Sequence, residues 1–290
     1  MGSLRFSLAH LTLLEQSPPE LIDIAAAAGY EFVGLRLIPF GLGGEPRYEL
    51  QSDPRLLRET RRALRDTGVR VLDMELARIH CGVDVKQYLP ALLIGAELGA
   101  RHVLTSVWSG DASFVRDQFA ALCELAAPLR LTVDLEYVPF AQVRTLAEAA
   151  ALVSSTAQAN AGLCIDTLHF DRAKDPLREL ARLPREWFHY AQICDGPAAW
   201  SAEEAHLRYV AREGRLCLGE GGIDVRAILQ AMPLMPYSIE LPNAQQLAEL
   251  GPIRFARRCL ETARRYIRET LPPPPLGRGL PLHRPTQRGF

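Results

Sequence analysis

Short apolar, β-rich runs recur about every thirty residues along the chain, and between them apolar positions fall three or four apart. The runs are LRFSLAHL, FVGLRLIP, VRVLDMELA, RHVLTSVW, LTVDLEYV, AGLCIDTL, FHYAQICD and PYSIELP. The helical stretches carry their own punctuation. In SPPELIDIAAAAG a serine stands before proline at the start and a glycine at the end, which predicts a capped helix. Helical patterns follow in DPRLLRETRRALRDTG, VKQYLPALLIGAELGA, ASFVRDQFAALCELAAP, TLAEAAALVSSTAQA, DPLRELARLP, IDVRAILQAM and PIRFARRCLETARRYIRETL. Strand and helix alternate eight times, so the chain is read as α/β, a single (β/α)8 barrel over residues 1–271. A doubly wound sheet is the alternative, but no run is followed by a G-x-G-x-x-G turn. The seventh connection is long and polar, WSAEEAHLRYVAREGR, and is expected to form a loop or short helix over the barrel mouth. Residues 272–290 are proline-rich and suit neither helix nor central strand. They are expected to form an extended arm that packs on the barrel or reaches a partner chain, as in a homo-oligomer.

Composition narrows the function classes. The 290 residues are 48% hydrophobic and carry a net charge of -1, which argues against a dedicated nucleic-acid binder. No apolar run is long enough to span a membrane, and the first residues lack a secretory pattern, so a cytoplasmic location is expected. The six cysteines are scattered, with no C-x-x-C pair, and are read as reduced packing residues.

In a barrel the inward-pointing residues at the C-terminal strand ends build the site. The last four strand candidates each offer one oxygen-bearing side chain there: Glu136, Asp166, Gln192 and Glu240. Three carboxylates converging inside a barrel repel one another and raise each other's pKa, and a divalent cation removes that cost. Three carboxylates and one neutral oxygen donor suit a hard metal. Nearer the mouth, Arg36, Arg212 and Arg215 are candidate ligands for a substrate anion, Glu75 for hydroxyls, and Trp108 for an apolar wall; His10 is a further candidate. Glu220 is expected to tie the glycine-rich turn GEGGID together.

The motifs DLEY, CIDTLHF, QICDG, LGEGGID and SIEL resemble those of the xylose isomerase-like TIM barrels, over residues 4–268. The resemblance implies one divalent metal held by Glu136, Asp166, Gln192 and Glu240, with His169 beside it touching substrate. Gln192 departs from the family, where most members have histidine. An amide oxygen in place of an imidazole nitrogen favours magnesium, manganese or cobalt over zinc. The resemblance further implies an isomerase or epimerase of sugars or sugar phosphates. Such an enzyme removes a proton beside the carbonyl of a polyhydroxylated substrate, with Glu136, Glu240 and His169 as acid–base groups. A strand-seven glutamine is similar to that of the bacterial 3-dehydroshikimate dehydratases, so a hydro-lyase is the alternative. The family's DNA-repair branch needs a histidine-rich cluster, and His102, His189 and His283 are poorly placed for one. A barrel that merely binds sugar fits poorly with the retention of all three carboxylates.

Overall fold

Strands covered on both faces are built mainly from apolar residues, and the observed strands follow that rule apart from a few buried polar positions such as Asp73, Glu75, Asp134, Asp166 and Gln192. The computed structural model describes residues 4–41 and 45–270. Its strands are β1 (Phe6–Leu8), β2 (Phe32–Arg36), β3 (Arg70–His80), β4 (His102–Trp108), β5 (Thr132–Leu135), β6 (Ala161–Leu163), β7 (Ile165–Asp166), β8 (Ala191–Ile193) and β9 (Tyr237–Ile239). All pair in parallel in the order β6-β5-β4-β3-β2-β1-β9-β8-β7. The two end strands are successive parts of one run, AGLCID, so the chain itself closes the barrel at Cys164. The predicted (β/α)8 barrel is therefore present, with one difference: the sixth stave is split, its first half bonded to β5 and its second to β8.

Helices form where capping predicts them. Ser17 donates to Glu20 from both its N–H and its hydroxyl, and Gly29 ends the helix Pro18–Ala28 at φ 93°. The seventh connection forms a helix, Glu204–Glu213, as expected. Two helices were not predicted: Thr167–Ala173, capped by Asp166, and Ala244–Leu250, capped by Asn243. The main core lies between strands and helices, while Phe32, Leu72, Leu76, Leu104, Cys164 and Tyr190 form a separate apolar plug. No helix among the described residues is long and apolar enough to cross a membrane. The proline-rich arm at 272–290 lies outside the described residues.

The glycine-rich turn is held by Asp195, not by Glu220 as expected. Asp195 is buried; its Oδ2 accepts from Gly219 N and Gly221 N, and its Oδ1 from Gly196 N and Ile223 N. A Cβ at Gly221 would stand 2.1 Å from Gly196 O, so the close approach requires glycine. Glu220 instead points outward to an exposed pair with Arg258 at 2.6 Å. Asp195→Ala strands four backbone donors and is expected to lower stability by about 3 kcal/mol. Glu220→Ala is expected to stay within about 0.5 kcal/mol. Urea unfolding of the two variants checks both, and an equal loss would return the tying role to Glu220.

Candidate metal centre and active site

The four predicted ligands come together at the C-terminal ends of neighbouring staves. Asp166 and Gln192 are register partners in β7 and β8, Gln192 pairs with Ser238 in β9, and Glu136 and Glu240 follow β5 and β9 directly. All four are buried. Gln192 Nε2 donates to Glu240 Oε1 at 2.9 Å. His169 Nε2 lies 3.7 Å from Glu136 Oε1, and ligand atoms of Glu136, Asp166 and His169 lie within 4.8 Å of one another. Asp166 has two duties: its Oδ1 caps the helix that carries His169, accepting from Leu168 N and His169 N, while Oδ2 faces the site. That cap delivers His169 to the side of the mouth that carries Glu136.

Arg215 lies across this group. Its guanidinium is buried, with Nη1 donating to Asp166 Oδ2 at 2.5 Å and Nη2 to Glu240 Oε2 at 2.7 Å. It therefore holds the site's carboxylates, whereas the sequence offered it as a ligand for a substrate anion. Burial raises the Asp166 carboxyl, but Arg215 and His169 outweigh it and hold it below the usual range. Burial, and after it the charges of Glu240 and Asp166, push Glu136 well above that range. Burial lifts Glu240 to about 8 against the pull of Arg215, with Glu75 and Asp166 adding repulsion. Burial lowers His169 to about 4, which leaves it a neutral imidazole near pH 7.

These residues fit a divalent cation. Two buried oxygens, Glu136 Oε1 and Gln192 Oε1, have no hydrogen-bond partner. A buried polar atom without a partner costs about 1–3 kcal/mol. Both belong to predicted ligands. Three carboxylates against one guanidinium leave a deficit of two charges, which one divalent ion cancels.

The other predicted residues line a cavity of about 430 Å³ above this cup, with Arg36, Glu75, Trp108, Arg212 and His169 in its wall. Arg36 reaches it with both terminal nitrogens engaged, by Glu45 at 3.0 Å and Glu75 at 2.6 Å, so it fixes Glu75 in place. His10 accepts from Arg36 N at 2.8 Å on Nδ1 and donates from Nε2 to Gln16 O, which makes it a support for that pair. Trp108 forms the apolar wall with two residues that sequence reasoning missed. Phe40 meets it edge-on at 5.5 Å, and Phe140 lies 6.2 Å away and 5.9 Å from His169. Three arginines press on these rings. Arg78 lies 4.1 Å from the Phe40 centroid, Arg208 4.7 Å from Phe140, and Arg212 5.7 Å from Phe40. Arg208 pairs with Glu204, but among the described ion pairs Arg78 and Arg212 meet no carboxylate. Phe40, Arg78 and Phe140 stand at or just past strand ends, and following the barrel rule one turn further would have found them.

The family profile described as xylose isomerase-like TIM barrel matches residues 22–263. A 3-dehydroshikimate dehydratase of Pseudomonas aeruginosa is 28% identical over 251 residues, 78% of this chain and 36% of that protein. The chain thus spans little more than a third of that relative's length. The IolI protein, solved with a zinc atom, superposes with a TM-score of 0.77 at 17% identity, over 92% of this chain and 99% of its own. D-allulose 3-epimerase from Methylomonas sp., solved with D-allulose, has a TM-score of 0.65 at 16% identity, over 91% and 97%. At these identities the two structures speak to the fold.

The raised carboxyls set a pH dependence. Glu240 titrates near 8 when folded against about 4.5 when unfolded, so folding favours its protonated form. That contribution is full below about pH 4.5 and is lost as pH rises towards about 8. Metal-free protein is therefore expected to lose melting temperature between about pH 5 and pH 8 more steeply than metal-loaded protein. Glu240→Gln is expected to flatten the metal-free slope and to weaken metal binding. Calorimetric melts across that range, with elemental analysis of bound metal, check both.

Proposed function

Because the chain belongs to the xylose isomerase-like TIM barrel family, we propose a divalent-metal-dependent hydro-lyase of the 3-dehydroshikimate dehydratase type, forming protocatechuate. The observation that carries this reading is the rim. Arg212 lines the cavity, meets no carboxylate among the described ion pairs and stands beside an aromatic wall above a carboxylate cup, which matches a flat carbonyl-bearing ring with hydroxyls at one end and a carboxylate at the other, while Arg78 is engaged behind Phe40 through the Phe40 carbonyl. Gln192 in the seventh stave and the 28% identity to a dehydratase point the same way.

Glu136, Asp166, Gln192 and Glu240 would hold the cation, with magnesium, manganese or cobalt favoured by the all-oxygen set. When bound, the cation supplies positive charge that polarises a carbonyl and stabilises negative charge formed beside it. His169 is the best-placed proton carrier: it is neutral near pH 7, lines the cavity and stands next to Glu136. Glu240 is less free to move a proton, since Gln192 occupies one oxygen and Arg215 the other. The reaction needs a base to take the proton α to the carbonyl and an acid to protonate the departing β-hydroxyl. Water leaves, and tautomerisation gives the aromatic diol. Glu75, held by Arg36 and His10 N, can accept a substrate hydroxyl. Phe40, Trp108 and Phe140 exclude water around the ring.

A second reading, the isomerase or epimerase class, rests on two raised carboxyls, Glu136 and Glu240, at the ends of different staves. Glu136, whose Oε1 has no hydrogen-bond partner, is the freer of the two to return a proton to the substrate carbon.

Incubation of metal-loaded protein with 3-dehydroshikimate is expected to yield protocatechuate, followed by its ultraviolet absorbance. Turnover of ketoses or their phosphates to aldoses or epimers, with no protocatechuate, would overturn the lyase reading. His169→Ala is expected to lower kcat by about 10²-fold or more. Arg212→Ala is expected to raise KM roughly tenfold with a smaller change in kcat. Gln192→His is expected to retain metal and lose most turnover.

A further inference from the structure

Two of the histidines that look stray in the sequence meet at the opposite end of the barrel. His102 opens β4 and Trp108 closes it, so His102 lies about 20 Å below the mouth at about 3.3 Å per residue. His189 precedes β8, and Asp134 lies in β5. His189 Nδ1 stands 2.6 Å from Asp134 Oδ1, and His102 Nδ1 stands 3.7 Å from Asp134 Oδ2. The three ligand atoms lie within 4.8 Å of one another.

We propose that His102, Asp134 and His189 form a second divalent-metal site on the barrel floor, structural in role and selective for zinc-like ions. Two imidazole nitrogens and one carboxylate are the ligand set of a borderline metal, unlike the all-oxygen cup at the mouth. Around a tetrahedral ion with bonds near 2.0 Å, neighbouring ligand atoms sit about 3.3 Å apart. His189 Nδ1 is hydrogen-bonded to Asp134 Oδ1 at 2.6 Å, and His102 Nδ1 stands 3.7 Å from the other oxygen, so an ion entering here would replace the proton between His189 and Asp134.

Four features hold the ligands in this aim. The two imidazoles are nearly parallel, 19° apart, and both turn Nδ1 to the one carboxylate. Tyr190 backs His102 at 5.2 Å. Thr132 Oγ1 donates its one proton to Asp134 Oδ2 at 2.6 Å and so accepts from His102 Nδ1 at 2.8 Å, which holds both side chains in place until an ion takes over the His102 Nδ1 position. Gly162 gives the space, because a Cβ there would stand 2.6 Å from both Asp134 Oδ1 and His189 Nδ1.

Asp134 is fully buried and, among the described ion pairs, meets only histidines, with no lysine or arginine. The His189 side chain is 21% exposed, which opens the site to solvent from the floor. The position also has a purpose in the fold. The first half of the sixth stave pairs with β5 but not with β8, and the Asp134–His189 link joins β5 to the segment entering β8 across that gap. A metal there would staple the barrel where its backbone ladder is interrupted.

The test uses full-length protein carrying Glu136→Gln and Glu240→Gln, which removes two charged ligands at the mouth. Dialysis against zinc in excess magnesium is expected to leave one zinc per chain. X-ray absorption should show two imidazole nitrogens on it, and the melting temperature should rise. His102→Gln or His189→Gln in the same background is expected to weaken zinc binding roughly tenfold or more. The proposal is overturned if the folded double variant retains no zinc, if its zinc lacks imidazole scattering, or if both histidine replacements bind zinc unchanged. X-ray absorption on the double variant decides the matter even where the histidine replacements fail to fold. Protocatechuate formation by wild-type protein reports the mouth chemistry alone, so the two readings fail separately.

Discussion

The mouth of this barrel depends on a guanidinium buried among carboxylates. Arg215 is 1% exposed and joins Asp166 to Glu240, while its Nε donates to Ala211 O and its Nη1 also reaches Glu240 O. Removing one partner of a buried charge pair costs about 3–5 kcal/mol, because the other charge is left in a low-dielectric interior. Arg215 therefore does more than stabilise: it sets the separation of the two candidate ligand carboxylates, Asp166 and Glu240. A second guanidinium, Arg36, does the same for Glu75 on the other wall. Two cations are not enough for Glu75, Glu136, Asp166 and Glu240 together. The shortfall shows in the raised Glu136 and Glu240 carboxyls and in the unpartnered oxygens of Glu136 and Gln192.

Gln192 makes physical sense within that arrangement. Its amide donates to Glu240 and keeps its oxygen free, so it supplies a donor and an acceptor to one small space. A neutral imidazole can also do both, but with its two nitrogens on opposite edges of a rigid ring. Exchange of one for the other leaves the charge balance intact and changes ligand hardness and the direction of the second hydrogen bond.

Strand periodicity made much of this legible. Alternation along a stave marks which residues face inward, and the barrel rule says that those near the C-terminal end matter, so Glu136, Asp166, Gln192 and Glu240 could be picked from pattern alone. Three things could not. The break in the sixth stave leaves AGLCID reading as one strand, because a missing ladder bond changes no residue type. Asp195 and Glu220 are both acidic and near the glycine-rich turn, and only backbone geometry shows which one collects its N–H groups. Arg78 and Arg208 join Arg212, which the sequence did single out, only when the helix Glu204–Glu213 folds over the mouth.

The same inward periodicity that builds the mouth also builds the floor. Along the fifth stave Thr132, Asp134 and Glu136 share one parity, and the first two serve the floor while the third serves the mouth. Along β4 the matching series runs from His102 through Leu104 and Ser106 to Trp108. The apolar plug of Phe32, Leu72, Leu76, Leu104, Cys164 and Tyr190 is built from interior positions such as Leu104. Between the two clusters lies Asp73, buried on the third stave. Burial first, and then the charges of Glu75, Glu240 and Asp134, push its carboxyl well above the usual range, so this one position feels the acidic groups at both ends of the barrel.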